Sequence, residues 1–425
     1  MLPSAITLRN FRCFRDATRL ELRPVTLLFG INNAGKSALL RALPLLGDSV
    51  GMEDSGPLDL ESSALRGSSF RDLRWNGSLD EDLDPDLGIA IHWQDSNGSS
   101  DFNLALHWLE DLRDDWRRLV VRRFTIREAG ENLEGKVILR REERTAARLS
   151  YEMKCGARLL EARIGFRGLL PDSDNTDLAE RLERVRGRLL ELRDRVQWLG
   201  ATRRLPESRV TPRPSGPRWR LRANGEDAGA VLATQPEVLE AVSEWYRRYL
   251  SRRLVVREVL PDSYRLVLQG TEGPTFDVDL IDTGEGMAQV LSVLTALALR
   301  RTEGGPAIVA IEEPESHLHD ELQRALAEEL CKVAAESPRS YVVLETHSEH
   351  LLLGVQLQIA RRELDPKDVL VYWVRQLENG ASVAEPITFD DEARPIGNSL
   401  PPRVFSHDTE VSREIIRARV KRSAV

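Results

Sequence analysis

The run Gly30-Ile31-Asn32-Asn33-Ala34-Gly35-Lys36-Ser37 fits the spacing G-x-x-x-x-G-K-S/T of a P-loop. Its chemistry is phosphate binding. Glycines let backbone N–H groups approach phosphate oxygens, and the helix start that follows adds partial positive charge. Lys36 supplies a point charge for the β and γ phosphates, and the Ser37 hydroxyl can ligate Mg²⁺. The candidate nucleotide-binding residues are therefore Gly30, Asn33, Ala34, Gly35, Lys36, Ser37 and Ala38. Lys36 is the first lysine in a chain whose cations are mostly arginine.

Three later stretches could complete such a site. Ala307-Ile308-Val309-Ala310-Ile311 is wholly apolar and runs straight into Glu312-Glu313-Pro314-Glu315. A buried strand ending in acids is the Walker B arrangement. Glu312 would hold Mg²⁺ directly or through water, and Glu313 would orient or deprotonate the attacking water. The plainer reading is an acidic helix start. Tyr341-Val342-Val343-Leu344 ends in Glu345-Thr346-His347-Ser348. A histidine there, at the C-terminal end of a parallel strand, sits where ligands bind in open α/β sheets. His347 could donate to the γ-phosphate and the water. A lone histidine is usually structural, but this one is placed by two other motifs. Finally, Asp282-Thr283-Gly284-Glu285-Gly286 precedes an apolar helix at 290–299. Thr283, Gly284 and Gly286 make a second candidate phosphate-facing helix start, the alternative being a Gly-rich turn. One chain needs only one P-loop, so a second such cap suggests the nucleotide of another subunit.

The elements that must position these groups are legible in part. Residues 25–29 read as a buried strand and 38–46 as a helix ending near Gly47, with Pro44 as a point of bending. Short strands are expected at 5–8 and 20–22. Residues 48–100 read as loop-heavy, with a short strand at 88–93. Weak alternation over 117–168 predicts an antiparallel β region with one wet face. Leu178, Leu182, Val185, Leu189, Leu192 and Val196 predict a helix of about six turns over 175–197. A strand leads from Trp198 into an Arg-bearing turn, and 207–217 reads as a linker. A helix at 237–250 and strands at 254–259, 264–269 and 275–280 follow. Thereafter helix and strand alternate, as a parallel sheet requires.

The chain has 425 residues, 41% hydrophobic and 30% charged, which fits a globular protein of two or three domains or lobes. No apolar run reaches the ~18 residues needed to span a bilayer. Met1-Leu2-Pro3-Ser4 lacks a secretion-signal profile. Cys13, Cys155 and Cys331 show no metal spacing, so a reducing cytoplasm, no structural zinc and no membrane are expected. His317, His319, His347 and His350 lie within motifs that have another use. The net charge of −8 neither points to nucleic acid nor excludes it. Arg-rich runs at 113–123 and 140–148 are interleaved with acids, which favours a solvated face over a DNA groove. A basic stretch at 413–421 could meet an acidic partner.

The order of P-loop, Gly-rich cap, Walker B with a second acid and then histidine resembles that of ABC-type ATPases. Asn10-Phe11-Arg12-Cys13-Phe14, GINNAGKS, IEEPESHLH and ETHSEHLL resemble the OLD-like branch of prokaryotic AAA-family ATPases, with SMC and RecF proteins as more distant relatives. WLGATRRLP is also similar to that branch. The resemblance covers roughly residues 4–47 and 280–390. It implies an α/β fold, an ABC-type P-loop ATPase head with a mixed β lobe, a parallel-sheet core and an inserted β/helical middle region. The expected divisions are 1–100, 101–215, 216–390 and a tail at 391–425. It also implies a head-to-tail dimer: ATP on Gly30 to Ala38 of one subunit meets Thr283 to Gly286 of the other, with Ser316-His317-Leu318-His319 beside it. The wording departs from the ABC pattern in two places. Thr283 stands where Leu-Ser-Gly-Gly would supply a serine, and Glu312 replaces an aspartate. No glutamine is placed as a Q-loop; Gln94 is available. About 75 residues follow His350, too few for the TOPRIM nuclease of many OLD-like proteins.

The expectation is a cytoplasmic, Mg²⁺-dependent ATPase whose catalytic residues are Lys36, Glu313 and His347, with Ser37 and Glu312 on the metal. By resemblance to the ATPases of Septu and PARIS anti-phage systems, it would form a homodimer or higher homo-oligomer and control a separately encoded nuclease or other effector. The competing readings are a RecF- or SMC-like ATPase that binds DNA directly and a scaffold that holds ATP without hydrolysing it.

Overall fold

The computed structural model describes residues 1–51, 56–75, 86–95, 98–111, 116–128, 130–143, 145–207, 209–210, 219–261, 263–271, 276–336 and 340–397. The basic stretch at 413–421 and most of the linker at 207–217 lie outside the described residues.

In chain order the first elements are β1 (Ala5–Arg9), β2 (Thr18–Glu21), β3 (Val25–Gly30), α1 (Lys36–Asp48) and β4 (Leu87–Asp95). Next come β5 (Gly98–Asp111), β6 (Trp116–Glu128), β7 (Glu131–Val137), β8 (Arg148–Cys155), β9 (Arg158–Arg167) and β10 (Leu170–Ser173). They are followed by α2 (Thr176–Leu190), β11 (Val196–Leu199), α3 (Ala228–Thr234), α4 (Pro236–Leu250), β12 (Arg252–Leu260), β13 (Ser263–Gly270) and β14 (Asp277–Asp279). The last are α5 (Glu285–Leu299), β15 (Ile308–Glu312), α6 (Asp320–Glu336), β16 (Tyr341–Thr346), α7 (Glu349–Ala360), β17 (Val369–Gln376), β18 (Ser382–Phe389) and β19 (Pro395–Gly397).

The core is a seven-stranded sheet in the order β11-β15-β16-β3-β17-β18-β19. The strands from β11 to β17 run parallel, and β18 and β19 close the edge antiparallel. Both faces are covered, so these strands read as continuous apolar runs rather than alternating ones. Val25, Leu27 and Phe29 of β3 pack into one cluster with Val309, Ile311, Val342 and Leu344 and the helices α4 to α7. Leu28, Ile308, Ala310 and Val343 face the other way, onto α1 and the β lobe. Burying all these side chains at ~25 cal/mol per Å² of apolar surface is what holds the strand ends in register.

A nine-stranded antiparallel sheet, β10-β9-β8-β7-β6-β5-β4-β1-β2, forms the second layer. β4 pairs antiparallel with β5, which itself spans residue 100. A small third sheet, β12-β13-β14, stands before the turn at Thr283. Within the described residues no helix is long and apolar enough to cross a membrane.

Two expectations change. The helix over 175–197 stops at Leu190 because Val196 is taken into β11 against Ile308. The chain turns between them at Asp194, whose φ of 59° lies in the left-handed region. The stretch read as loop before residue 100 feeds the long strand β5, whose Phe102, Leu104 and Leu106 alternate inward. Helix α1, with Pro44 inside it, ends at Asp48, close to the expected end near Gly47.

Candidate active site

The loop between β3 and α1 lies at the C-terminal edge of the parallel sheet. Asn33 has φ 63° and Gly35 φ 103°, so the chain curls back and the first N–H groups of α1 open outward. An added Cβ at Gly35 would stand 2.3 Å from Cys13 Sγ. No side chain caps α1, which leaves its terminal N–H groups as an anion site. Ile31, Asn32 and Asn33 are exposed, whereas Lys36 is buried. Its ammonium donates to the carbonyls of Gly30 at 3.0 Å and Ile31 at 2.8 Å. Burial lowers its pKa, and Glu345, Glu313 and Glu315 oppose that shift. Arg12, Arg41 and Arg66 add charge on the same side; burial and then Arg41 pull the Arg12 pKa down.

The ends of β15 and β16 carry the acids. β16 lies between β15 and β3, and Glu312 and Glu345 are register partners across the ladder. Glu312 is 2% exposed and faces several donors. Arg41 binds it in a fork at 2.6 and 2.7 Å, Trp198 Nε1 donates at 3.1 Å, and Arg66 and the Ala201 N–H approach at 3.3 and 3.4 Å. Ser37, expected beside Glu312, instead donates to Glu345 Oε1 at 2.8 Å. The strand order explains the difference, since β16 is the neighbour of β3 and β15 is one strand further away. Burial pushes the Glu345 carboxyl up to about 7, with Glu312 pushing the same way and the Ser37 bond, Lys36 and Arg41 pulling it back.

Glu313 leaves the strand at φ 44° and is half-buried. Its N–H donates to the Glu345 carbonyl at 2.8 Å, and Ser316 Oγ donates to its Oε2 at 3.2 Å. Such positive φ values at non-glycine residues are held only where surroundings over-determine them. Here Arg203 does so: buried under the strand exit, it donates to the carbonyls of Glu312 and Glu313, both at 2.9 Å. The sequence showed an Arg-bearing turn there but nothing of its target. Glu315 accepts from Thr346 Oγ1 at 2.6 Å and the His347 N–H at 3.0 Å, and burial raises its pKa. It thereby splices the end of β16 to the Walker B turn. His347 hydrogen-bonds the Gly30 backbone and feels both Lys36 and Glu313; burial lowers its pKa, which keeps the ring neutral at pH 7.

Thr283 to Gly286 lead into α5, against the turn that follows the Walker B acids. Gly284 caps α5 at φ 102°, and α5 begins at Glu285, earlier than its apolar run suggested. Thr283 Oγ1 donates to the Leu280 carbonyl at 2.6 Å. An added Cβ at Gly286 would meet the His317 carbonyl at 2.2 Å, and His317 Nδ1 lies 3.5 Å from Glu285 Oε2. The two stretches expected to face a partner's nucleotide are thus neighbours, with Gly284, Glu285 and His317 exposed and Thr283 and Gly286 half-buried. Gln94 lies exposed on β4, opposite Ser99.

Comparison with known proteins extends this geometry. A family model described as "AAA ATPase domain" matches residues 1–108, which hold the P-loop. One described as "AAA domain, putative AbiEii toxin, Type IV TA system" matches residues 172–353, which hold the acids, His347 and the Thr283 turn. No curated protein matches the chain. A solved structure of the SmcHead bound to the C-winged helix domain of ScpA is 11% identical, with TM-score 0.50 over 92% of this chain and 98% of that one. The fold is that of an ABC-type P-loop ATPase head. The SMC head domain from Thermotoga maritima is also similar, at TM-score 0.47, 12% identity, and 91% and 99% coverage. In this ATPase head the two layers and the strand order place Lys36, Ser37, Glu313, Glu345 and His347 at one sheet edge.

Proposed function

We propose that the protein binds and hydrolyses Mg-ATP, closes head-to-tail around it as a dimer, and through that closure regulates a separately encoded effector, a nuclease, in anti-phage defence. The observation that carries the nucleotide reading is Lys36, a buried ammonium folded onto its own loop carbonyls beneath uncapped helix N–H groups. Phosphate would draw it out of that self-contact. Lys36 and the amides from Asn33 to Ala38 bind the β and γ phosphates. Glu313 orients or deprotonates the attacking water, and neutral His347 donates a hydrogen bond to the γ-phosphate. The residues also fit Mg²⁺: Ser37 lies against a buried carboxylate, and oxygen ligands suit the ion. When bound, Mg²⁺ neutralises charge on the β and γ oxygens. Ser37 and an acid at the strand ends would hold it, and Glu312 would have to be released by Arg41 before it could serve.

The partly exposed edge of Thr283, Gly284 and Gly286 with His317 supports closure on a second subunit's ATP. The description of the second family model is compatible with a role in defence. Several arginines of the β lobe are paired with acids, such as Arg122 with Asp86 and Arg148 with Asp172, which favours a protein partner over bare DNA.

Light scattering of Glu313→Gln with and without Mg-ATP tests the reading. The expected outcome is a rise in mass on adding Mg-ATP. A mass fixed at monomer in both conditions would remove the head-to-tail closure. ATPase activity stimulated by bare duplex DNA, with a steep salt slope, would replace the effector by DNA.

A further inference from the structure

We propose that Glu345, with Ser37, is the protein's carboxylate ligand for the divalent cation of the bound nucleotide, and that Glu312 is a structural anion held by arginines. This rests on the nucleotide reading of the site.

Three observations carry it. First, the topology puts β16, and so Glu345, on the strand next to β3, with Glu312 one strand beyond. Neighbouring strands are ~4.8 Å apart, so one strand decides which acid is near the P-loop serine. Second, Ser37 Oγ already touches Glu345 Oε1 at 2.8 Å. The hydroxyl of a P-loop Ser is the protein's other expected oxygen on the ion. Third, the two acids differ in what they lack. Glu345 is 5% exposed, and its Oε2 is buried with no hydrogen-bond partner. A buried carboxylate oxygen left bare is costly, and a divalent cation is a partner that removes the cost. Glu312 has no such vacancy, since Arg41, Trp198, Arg66 and the Ala201 N–H approach its oxygens. A carboxylate offers about four acceptor positions, so a cation would first have to displace an arginine. Glu315 also has an unpartnered Oε2, but its other oxygen holds Thr346 and the His347 N–H rather than Ser37. No cluster of three or more His, Cys, Asp or Glu among the described residues could hold a metal by itself. That suits Mg²⁺, which takes one or two carboxylates and completes its shell with water and phosphate.

The test separates metal binding from nucleotide binding. Mn²⁺ is titrated into full-length protein saturated with ADP, and free Mn²⁺ is read by EPR. ADP affinity is measured separately in EDTA with a fluorescent ADP. Glu345→Gln is expected to raise the half-saturating Mn²⁺ concentration by about tenfold or more, while ADP binding in EDTA is no weaker than in the wild type. Glu345→Asp, which keeps the charge, recovers part of the loss. Glu312→Gln shifts the Mn²⁺ midpoint by less than about threefold. The proposal is overturned if Glu345→Gln binds Mn²⁺ as the wild type does, or if the large shift belongs to Glu312→Gln. It is equally overturned if Glu345→Gln weakens ADP binding in EDTA as much as with Mn²⁺, because the residue then only shapes the P-loop. A wild type that binds no ADP in either condition removes the nucleotide reading first, and this inference with it.

Discussion

The ends of β15 and β16 are neighbouring pieces of the same sheet, each closing an apolar strand with a glutamate, yet their environments are opposite. Glu312 is buried among cations and an indole N–H. Glu345 is buried with one hydroxyl and a bare oxygen. The first is an anion that the fold has already neutralised. The second is a carboxyl that the fold has left for a proton or a cation to neutralise. Residue type and position at a strand end therefore do not separate a structural acid from a ligand; the count of donors around each does.

The largest expected effect comes from breaking the saturated acid. Glu312→Gln puts an amide donor against the Arg41 guanidinium and leaves that buried cation unpaired. Removing one partner of a buried pair costs about 3–5 kcal/mol. Arg66 is half-exposed and can turn to water, so Arg41 and Trp198 carry the loss. Urea midpoints of Glu312→Gln and Glu345→Gln, measured without metal, should move in opposite directions at pH 8. Equal destabilisation of the two would erase the contrast.

Next in size is the residue between the two strand ends. Glu313→Gln keeps the half-buried shape and its N–H bond to the Glu345 carbonyl but loses the base. Turnover is expected to fall by about 10²–10⁴-fold, with ATP binding retained. Steady-state phosphate release beside equilibrium ATP binding checks it. A fall in both together would mean that Glu313 serves the loop and not the water. A wild type as slow as the variant would support a scaffold that holds ATP without turning it over.

Much of this edge was legible because each piece is local. Val25–Gly30, Ile308–Glu312 and Tyr341–Thr346 are short β-branched runs punctuated by glycine or acid, and such runs read as buried strands wherever they lie. The helix at Pro236–Leu250 shows its own periodicity and a proline at its first turn. Strand order is not local. Nothing in the spacing says that the strand after the Walker B acids inserts between them and the P-loop, and that insertion gives Ser37 to Glu345 instead of Glu312. The overlong reading of α2 failed for the same reason: Val196 continues the helical spacing but is claimed by Ile308 across a sheet. Arg203 was visible as a residue, but its carbonyl targets are about 110 positions away.

The smallest effect sharpens the comparison most, because it needs no nucleotide. In metal-free protein, burial raises the Glu345 carboxyl from the ordinary 4.5 to about 7. The folded state then holds a proton between those values that the unfolded chain has given up. The stability this contributes is fully present below pH 4.5 and is lost as pH rises through 7. Glu345→Gln has no such proton to lose and can still accept from Ser37. Its stability should match the wild type near pH 4.5 and exceed it at pH 8 by up to ~3 kcal/mol. Thermal melts in EDTA across this range read the crossover directly. A wild type as stable as the variant at pH 8 would mean that water or a shifted side chain already serves the bare oxygen, and Glu345 would then be as satisfied as Glu312. If the gap is there, saturating Mg-ADP should narrow or reverse it, because the counter-charge is supplied to the wild type alone.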